Sequence, residues 1–304
     1  MYHLRRLLVA TDCTERAQRA EVRAAQLCQQ HGIADAELLT VREGAEPDIL
    51  AMITNTDVDM AREQAATQAS LELERRAGML KDDYGVEFSW HVRFGKTATE
   101  IAQRADEIDA DLLVIGAHGG NFFSDLLLGN TADRLAHLCR RPLLVVKNGP
   151  RQAYQRVLIP VDFSEESHRA SQVALALVPD AEITFLHAFE VMFEGKMQYA
   201  SVPRDVIDHY RMKAREEART DLDRFIHAVN PENRQAGSAI VFGMPGPAVR
   251  DYSKSIQSDL IVLGKHGKSR FEDMILGSVT RDTLEQTECD VLVVPSGDRG
   301  LGIS

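Results

Sequence analysis

The 304-residue chain has no long apolar run and no excess of basic side chains. Its longest apolar segments, such as Leu112–Ala117 and Leu143–Val146, are far shorter than the roughly 20 residues that a membrane-spanning helix requires. The formal net charge is −11, which disfavours the basic clusters that replace counterions on nucleic-acid phosphates. The first residues run directly into a strand-like segment, without a signal-peptide pattern. These absences predict a cytoplasmic protein without membrane insertion and without a nucleic-acid partner.

The chain has only four cysteines, and they form neither a CxxC pair nor a metal-ligand spacing. We therefore expect reduced thiols and no metal site. A GxSxG nucleophile elbow and a Walker lysine after the glycines are absent as well. No catalytic residue can be assigned on this basis, and any ATP hydrolysis is expected to be slow.

The sequence contains an internal repeat. The segment Gly116–Gly119, which reads GAHG, recurs at an offset of 148 residues as Gly264–Gly267, which reads GKHG. A Phe-Gly dipeptide repeats at the same offset. Asp12 and Asp162 each follow an apolar strand-like segment, at an offset of 150 residues. Because these anchors occur in one order, we interpret the chain as a tandem duplication.

Each half alternates strand-like and helical segments. The strand-like segments are continuous Val, Ile and Leu runs, which are typical of strands buried on both faces of a parallel sheet. They lie near 5–10, 37–41, 86–92, 111–117 and 142–147 in the first half, and near 156–161, 182–188, 237–242, 259–265 and 290–295 in the second. Long helices are expected over 57–81 and 204–229. The alternation predicts two doubly wound, Rossmann-like α/β domains, each with a five-stranded parallel sheet.

The repeat also suggests domain boundaries. We expect a first domain over residues 1–147 and a second over 156–296. Residues 148–155, which begin with Asn-Gly-Pro, form the expected linker, and residues 297–304 form a tail.

A glycine loop follows the fourth strand of the second half. Gly264 and Gly267 are followed, after nine residues, by Gly277 and Ser278 at the start of a helix. Glycines at the carboxyl end of a parallel strand let backbone amides approach an anion, and a helix N-terminus adds unpaired N–H groups. The alternative is structural: the glycines end the strand and Ser278 caps the helix. Asp162, at the end of the first strand, could likewise contact a nucleoside or serve as a helix N-cap.

This order of elements, with the GxxG-x9-G-[ST] pattern after the fourth strand, resembles the universal stress protein family in both halves, as in its tandem members. The resemblance implies a fold of two such domains and an ATP site in which the loop holds the phosphates and the first-strand aspartate contacts the nucleoside. His266 and Lys268 lie within the loop and join the candidates. The nucleotide-binding candidates in the second half are Val161, Asp162, Ala188, Gly264, His266, Gly267, Lys268, Gly277, Ser278, Val279 and Thr280.

The first half departs from the family pattern. The glycine spacing is kept, but Asn130 replaces the serine and is expected to act as an N-cap without supplying a hydroxyl. Basic counterparts of Lys268 and Arg270 are missing, which disfavours an anionic ligand. The weaker first-half candidates are Asp12, Gly116, Gly119, Gly129, Asn130 and Thr131.

The resemblance further implies a stress-response regulator that binds an adenine nucleotide, ATP above all, which a magnesium ion could accompany. It implies that the units pair through their fifth strands, giving a pseudo-dimer within the chain and a homodimer as a further option. A ligand-free scaffold that acts by protein contacts and a slow ATPase are the alternatives. The Met- and aromatic-containing segment 191–203 could cover the sheet edge or contact an apolar ligand.

Overall fold

The structure, a computed structural model, describes residues 4–43, 57–117, 128–149, 152–191, 199–200, 202–230, 234–267 and 276–297. The first half comprises β1 (Arg6–Ala10), α1 (Glu15–His31), β2 (Asp35–Arg42), α2 (Val58–Tyr84), β3 (Ser89–Phe94), α3 (Thr97–Glu107), β4 (Leu112–Gly116), α4 (Asn130–Leu138) and β5 (Leu143–Val146). The second half comprises β6 (Arg156–Pro160), α5 (Glu165–Leu177), β7 (Glu182–Phe189), α6 (Arg204–Val229), β8 (Ala236–Phe242), α7 (Pro245–Ile256), β9 (Leu260–Gly264), α8 (Ser278–Gln286) and β10 (Asp290–Val294).

The predicted α/β architecture is confirmed, with one displaced strand. The segment expected over 86–92 forms β3 only from Ser89 to Phe94, where Phe94 pairs with Arg42 of β2. Val86 and Phe88, which suggested the earlier start, are buried core residues that precede the ladder. An apolar run marks burial, whereas a strand requires a neighbour whose backbone it can pair with.

Local signals explain where the long helix α2 begins and ends. Asp57 accepts a hydrogen bond from the Asp59 amide and caps the first turn. Gly85, at φ 70°, adopts the left-handed conformation at the other end, and its amide donates to the carbonyl of Lys81. The helix therefore extends a few residues beyond the range predicted from composition.

The ten strands form one continuous sheet in the order β3-β2-β1-β4-β5-β10-β9-β6-β7-β8. All neighbours within a half are parallel, and the two fifth strands pair with each other in antiparallel register, with Leu144 opposite Leu292. This junction relates the two halves as a pseudo-dimer within one chain. Because the strands of the two halves run in opposite directions, the carboxyl edges of the two halves lie on opposite sides of the continuous sheet.

The core lies on both faces of the sheet and crosses the junction. On one face Leu144 and Leu292 belong to the same buried cluster, which α1, α2, α5 and α6 cover. On the other face Val145 and Val291 share a second buried cluster under α3, α4, α7 and α8. Apolar side chains that alternate between two covered faces explain the uninterrupted Val and Leu runs of these strands.

None of the helices in the described part of the chain combines the length and the apolar character that crossing a bilayer requires. All four cysteines are free thiols. Burial raises the pKa of Cys28 to about 12 and that of Cys139 to about 11, so both stay protonated near neutral pH.

Candidate functional site

The turn after β6 is organised by the carboxylate of Asp162. Its Oδ1 accepts hydrogen bonds from the amide of Ser164 at 3.1 Å and from the Ser164 hydroxyl at 2.5 Å. The Ser164 hydroxyl in turn accepts from the amide of Ser167, so Ser164 is the N-cap of α5. Phe163 between them lies in the left-handed region, at φ 64°. Asp162 thus orients the capping residue and is not itself the cap.

The first half has the same turn. Asp12 accepts from the amide of Thr14 at 3.0 Å and from its hydroxyl at 2.6 Å. Thr14 caps α1 by accepting from the amide of Ala17, and Cys13 has a φ of 62°. The backbone of this turn is therefore common to both halves.

Gly264 and Gly267 allow two close approaches at the carboxyl edge of the second half. A methyl group built on Gly267 would lie 2.6 Å from Oδ2 of Asp162. One built on Gly264 would lie 2.9 Å from Cβ of Glu166 in the first turn of α5. Distances this short exclude a side chain without rearrangement. The structure thus brings the first-strand aspartate and the glycine loop together, although Gly264 and Gly267 follow Asp162 by 102 and 105 residues in the sequence.

Gly277 connects the loop to the helix that follows. Its amide donates to the carbonyl of Lys265 at 2.9 Å, and a methyl group on Gly277 would lie 3.2 Å from that oxygen. Gly277 is the N-cap of α8, and no side chain caps this helix. Ser278 is the first helical residue and is exposed, so it is not the capping residue that the structural alternative assumed.

Val279 and Thr280 occupy different environments in the first turn of α8. Val279 is half-buried, whereas Thr280 is 2% exposed. The Thr280 hydroxyl donates to the carbonyl of Gly264 at 2.8 Å. Thr280 therefore ties the helix to the end of β9, and its hydroxyl is engaged in the fold.

The adjacent strand ends form a partly aromatic surface. Val161 is buried, and its amide donates to the carbonyl of Leu186 at 2.8 Å. The ring Nδ1 of His187 lies 2.8 Å from the carbonyl oxygen of Val161. The Phe163 ring packs on His187 with centroids 4.2 Å apart. Ala188, the next residue of β7, is half-buried at this edge.

His266 is the remaining second-half candidate that the structure describes. His266 is half-buried, and its Nδ1 lies 3.1 Å from the hydroxyl of Ser296, just beyond β10. Lys268 lies outside the described residues, as does Arg270. The segment 191–203 is described only in part.

The two described ends of the first-half loop make the same backbone contact as those of the second. Gly116 ends β4, and the amide of Gly129 donates to the carbonyl of Ala117 at 2.8 Å. Gly129, not Asn130, is the N-cap of α4, so the expectation that Asn130 caps this helix is wrong. The glycine adopts the extended capping conformation, which makes the next residue the first helical one. Thr131 is half-buried, and Gly119 lies outside the described residues.

A buried charge network lies beside the Asp12 turn. Arg76 of α2 donates to both carboxylate oxygens of Glu21, at 3.0 and 2.8 Å, and also to the carbonyl of Cys13. The hydroxyl of Thr11 donates to the same carboxylate. Glu21 is 1% exposed and Arg76 is 9% exposed. The ion pair is thus held inside the domain.

The corresponding place in the second half is aromatic. Phe225 of α6 packs 5.8 Å from Phe163 and 6.4 Å from Phe185, centroid to centroid. Val161 and Ser171 stand where Thr11 and Glu21 stand in the first half. The two halves therefore differ beside the aspartate turn, and the spacing of the glycines alone did not reveal this difference.

No group of three or more His, Cys, Asp or Glu side chains in the described ranges is arranged to hold a metal ion.

The fold and its paired glycine loops define a tandem protein of the doubly wound α/β class. The model of the universal stress protein family matches the chain twice, over residues 3–147 and 153–295. The chain belongs to the universal stress protein family.

Relatives of known sequence and structure agree with this assignment. A universal stress protein of Methanocaldococcus jannaschii is 25% identical over 153 residues, which are 46% of this chain and 94% of the relative. Universal stress protein YxiE of Bacillus subtilis is 27% identical over 146 residues, covering 46% of this chain and 99% of its own. A universal stress protein structure from Archaeoglobus fulgidus matches with a TM-score of 0.65 and 19% identity, covering 96% of this chain and 98% of that chain. The last likeness supports the tandem fold.

Proposed function

We propose that the second domain binds an adenine nucleotide, ATP above all, and that the protein acts as a nucleotide-controlled regulator in the stress response. The observation that carries the proposal is the convergence of Asp162, Gly264, Gly267 and Gly277 at one carboxyl edge. Ligands of open α/β sheets bind at this edge, beyond the strand ends.

The loop and helix α8 supply the phosphate site. The first turn of α8 offers backbone amides that no side chain caps, together with the hydroxyl of the exposed Ser278. The absence of side chains on Gly264 and Gly267 lets the loop backbone lie close to Glu166 and Asp162 at this edge. Lys268 would add positive charge, and a magnesium ion bound to the phosphates would offset the nearby Asp162 and Glu166 carboxylates.

Asp162 and the ends of β6 and β7 supply the nucleoside side. Oδ2 of Asp162 faces the loop, within reach of a ribose hydroxyl. Val161 and Ala188 offer an apolar rim for the base, with Phe163 and His187 packed behind them. The Thr280 hydroxyl donates to the carbonyl of Gly264, so this side chain would support the site by holding α8 against the end of β9.

A ligand of this class has been observed in another family member. The crystal structure of a universal stress protein in complex with cAMP is 24% identical to this chain, covers 47% of it and 98% of that chain, and has a TM-score of 0.30. That complex shows binding by the other protein only. The proposal for this chain rests on the glycine loop of its second domain.

Calorimetric titration with ATP, in the presence of magnesium, tests the proposal. We expect wild-type protein to bind one ATP per chain, and Ser278→Ala and Gly277→Ala to weaken or abolish the heat of binding. The first-domain variants Gly129→Ala and Asn130→Ala are the matched controls and should bind as wild type does. An absence of heat with wild-type protein, together with purified protein free of ATP and ADP, would refute the nucleotide function and favour the ligand-free scaffold.

We also propose that the protein is cytoplasmic and that the tandem chain forms a homodimer. Gel filtration coupled to light scattering, with and without ATP, measures the oligomeric state of the chain.

A further inference from the structure

Lys265 is the second residue of the glycine loop, and its backbone connects the loop to both β10 and α8. Its amide donates to the carbonyl of Val294 in β10 at 2.7 Å. Its carbonyl accepts the amide of Gly277 at 2.9 Å, which fixes the start of α8. The position of this one residue therefore sets the separation between the strand end and the helix N-terminus that together form the phosphate site.

The side chain of Lys265 leaves its own domain. It is 5% exposed, and its Nζ donates to the carbonyl of His137 at 2.5 Å. His137 lies in the last turn of α4 in the first domain, where carbonyls have no partner within the helix. An ammonium group at this end also interacts favourably with the helix dipole. The loop is thus anchored on the first domain.

The antiparallel pairing of β5 with β10 makes this contact possible. It turns the end of α4, which lies near the amino end of β5, toward the carboxyl edge of the second domain. The reverse contact exists as well. Lys147, just after β5, donates to the carbonyls of Leu284 and Thr287 at the end of α8.

The two loops differ in this anchor. Ala117, the counterpart of Lys265, makes the same two backbone hydrogen bonds, to Val146 and from Gly129, each at 2.8 Å. Its methyl group cannot reach across the junction. Lys147 does cross it, but lies outside either glycine loop. Among the described residues of the two loops, a side-chain anchor across the junction is therefore present in the second domain and not in the first.

We propose that Lys265 is a positioning residue of the nucleotide site, which holds the second-domain loop in its binding geometry by docking it on helix α4 of the first domain. The inference rests on the proposed function. A loop held in place before binding loses little conformational freedom when the ligand arrives, and this increases affinity. By the same contact, nucleotide bound to the second domain stabilises the end of α4. The first domain then contributes to the site without touching the ligand.

A merely structural role for Lys265 makes a different prediction. A buried ammonium that only stabilises the junction would, when removed, lower stability and leave the affinity of the folded protein unchanged. Lys147 provides the matched control, because it is also a lysine that bridges the domains through helix C-terminal carbonyls.

The experiment is calorimetric titration of the full chain with MgATP, for wild type, Lys265→Met and Lys147→Met. Methionine keeps the aliphatic length and removes the ammonium. We expect Lys265→Met to raise the Kd by about tenfold, within the range typical of coupling between sites, and Lys147→Met to change it by less than about threefold. An unchanged Kd in Lys265→Met, or an equal loss in both variants, would overturn the proposal. If wild type itself binds no nucleotide, the proposed function fails and this inference fails with it.

Hydrogen exchange of the wild-type protein supplies a test that needs no variant, in case Lys265→Met does not fold. Saturating MgATP should slow amide exchange in the last turn of α4, residues 134–138, and leave α3 of the same domain unchanged. Exchange in α4 that is the same with and without bound nucleotide would refute the coupling.

Discussion

The phenol of Tyr154 donates a 2.7 Å hydrogen bond to Oδ2 of Asp290, and both side chains are buried at the joint between the domains. The other carboxylate oxygen accepts the amides of Lys147 and Asn148. The guanidinium of Arg23 lies 3.9 Å above the Tyr154 ring. The segment between the two domains is therefore held by buried contacts to α1 and β10.

Replacing Tyr154 tests this joint. Tyr154→Phe removes one hydrogen bond from a buried carboxylate and should lower the free energy of unfolding by about 1–3 kcal/mol. Urea denaturation measures the change. Tyr210→Phe is the control, because Tyr210 is 51% exposed, and it should stay within about 0.5 kcal/mol of wild type. Equal effects of the two substitutions would contradict the buried role of Tyr154.

The charge network of the first domain yields a second prediction. Arg76→Phe leaves the buried carboxylate of Glu21 without its ion-pair partner and should lower the free energy of unfolding by about 3–5 kcal/mol. The double variant Glu21→Ser/Arg76→Phe reproduces the residue types of the second domain. It should recover most of the loss, because no uncompensated charge stays buried. Thermal and urea denaturation of both variants provide the comparison, and additive losses would count against the argument.

The pH dependence of stability should contain a contribution from Lys147. Burial lowers the pKa of its ammonium to about 8, although Cys289, Asp290 and Glu288 oppose this shift. Because the pKa in the unfolded chain is near the ordinary value of 10.5, the unfolded state binds more protons between these two values. The contribution of Lys147 to stability therefore rises as the pH rises through this window.

The measurement is a difference between two proteins. From about pH 7 to about pH 10, wild type should gain on the order of 1–2 kcal/mol relative to Lys147→Met. Thiols that titrate in both proteins, such as Cys28 and Cys139, contribute equally and cancel in the difference. A difference that is constant with pH, or that falls, would show that Lys147 titrates normally.

A fourth prediction concerns Gly267. Gly267→Ala would place a methyl group 2.6 Å from Oδ2 of Asp162, so the carboxylate must move. We expect the affinity for ATP to fall by about tenfold, or about 1.4 kcal/mol of binding free energy. The control is Gly78→Ala in α2, where a methyl group meets nothing within 4 Å. It should leave binding unchanged and raise stability by about 0.5–1 kcal/mol, because alanine favours a helix over glycine.

The backbone positions of the aspartate and the glycine loop could largely be predicted from the sequence, because they follow from where individual strands end. The carboxyl ends of parallel strands meet at one edge, so a first-strand aspartate and a loop after the fourth strand were expected to be neighbours, and Asp162 and Gly267 are. The capping residues were harder to predict from the sequence. Ser278 and Asn130 have the composition of N-caps, yet the preceding glycines cap both helices.

The sequence by itself determined the duplication, the alternation of strands and helices within each half and the positions of the two glycine loops, because each can be read from short sequence patterns. Only the tertiary structure decided what lies against those loops. The contact of Lys265 with His137 spans 128 residues, and the replacement of an Arg76–Glu21 ion pair by the ring of Phe225 lies in a core shared by distant helices. No local pattern encodes such partners. The contact of Lys265 depends on the antiparallel junction of β5 and β10, and the other two depend on how the helices pack on the sheet of each domain.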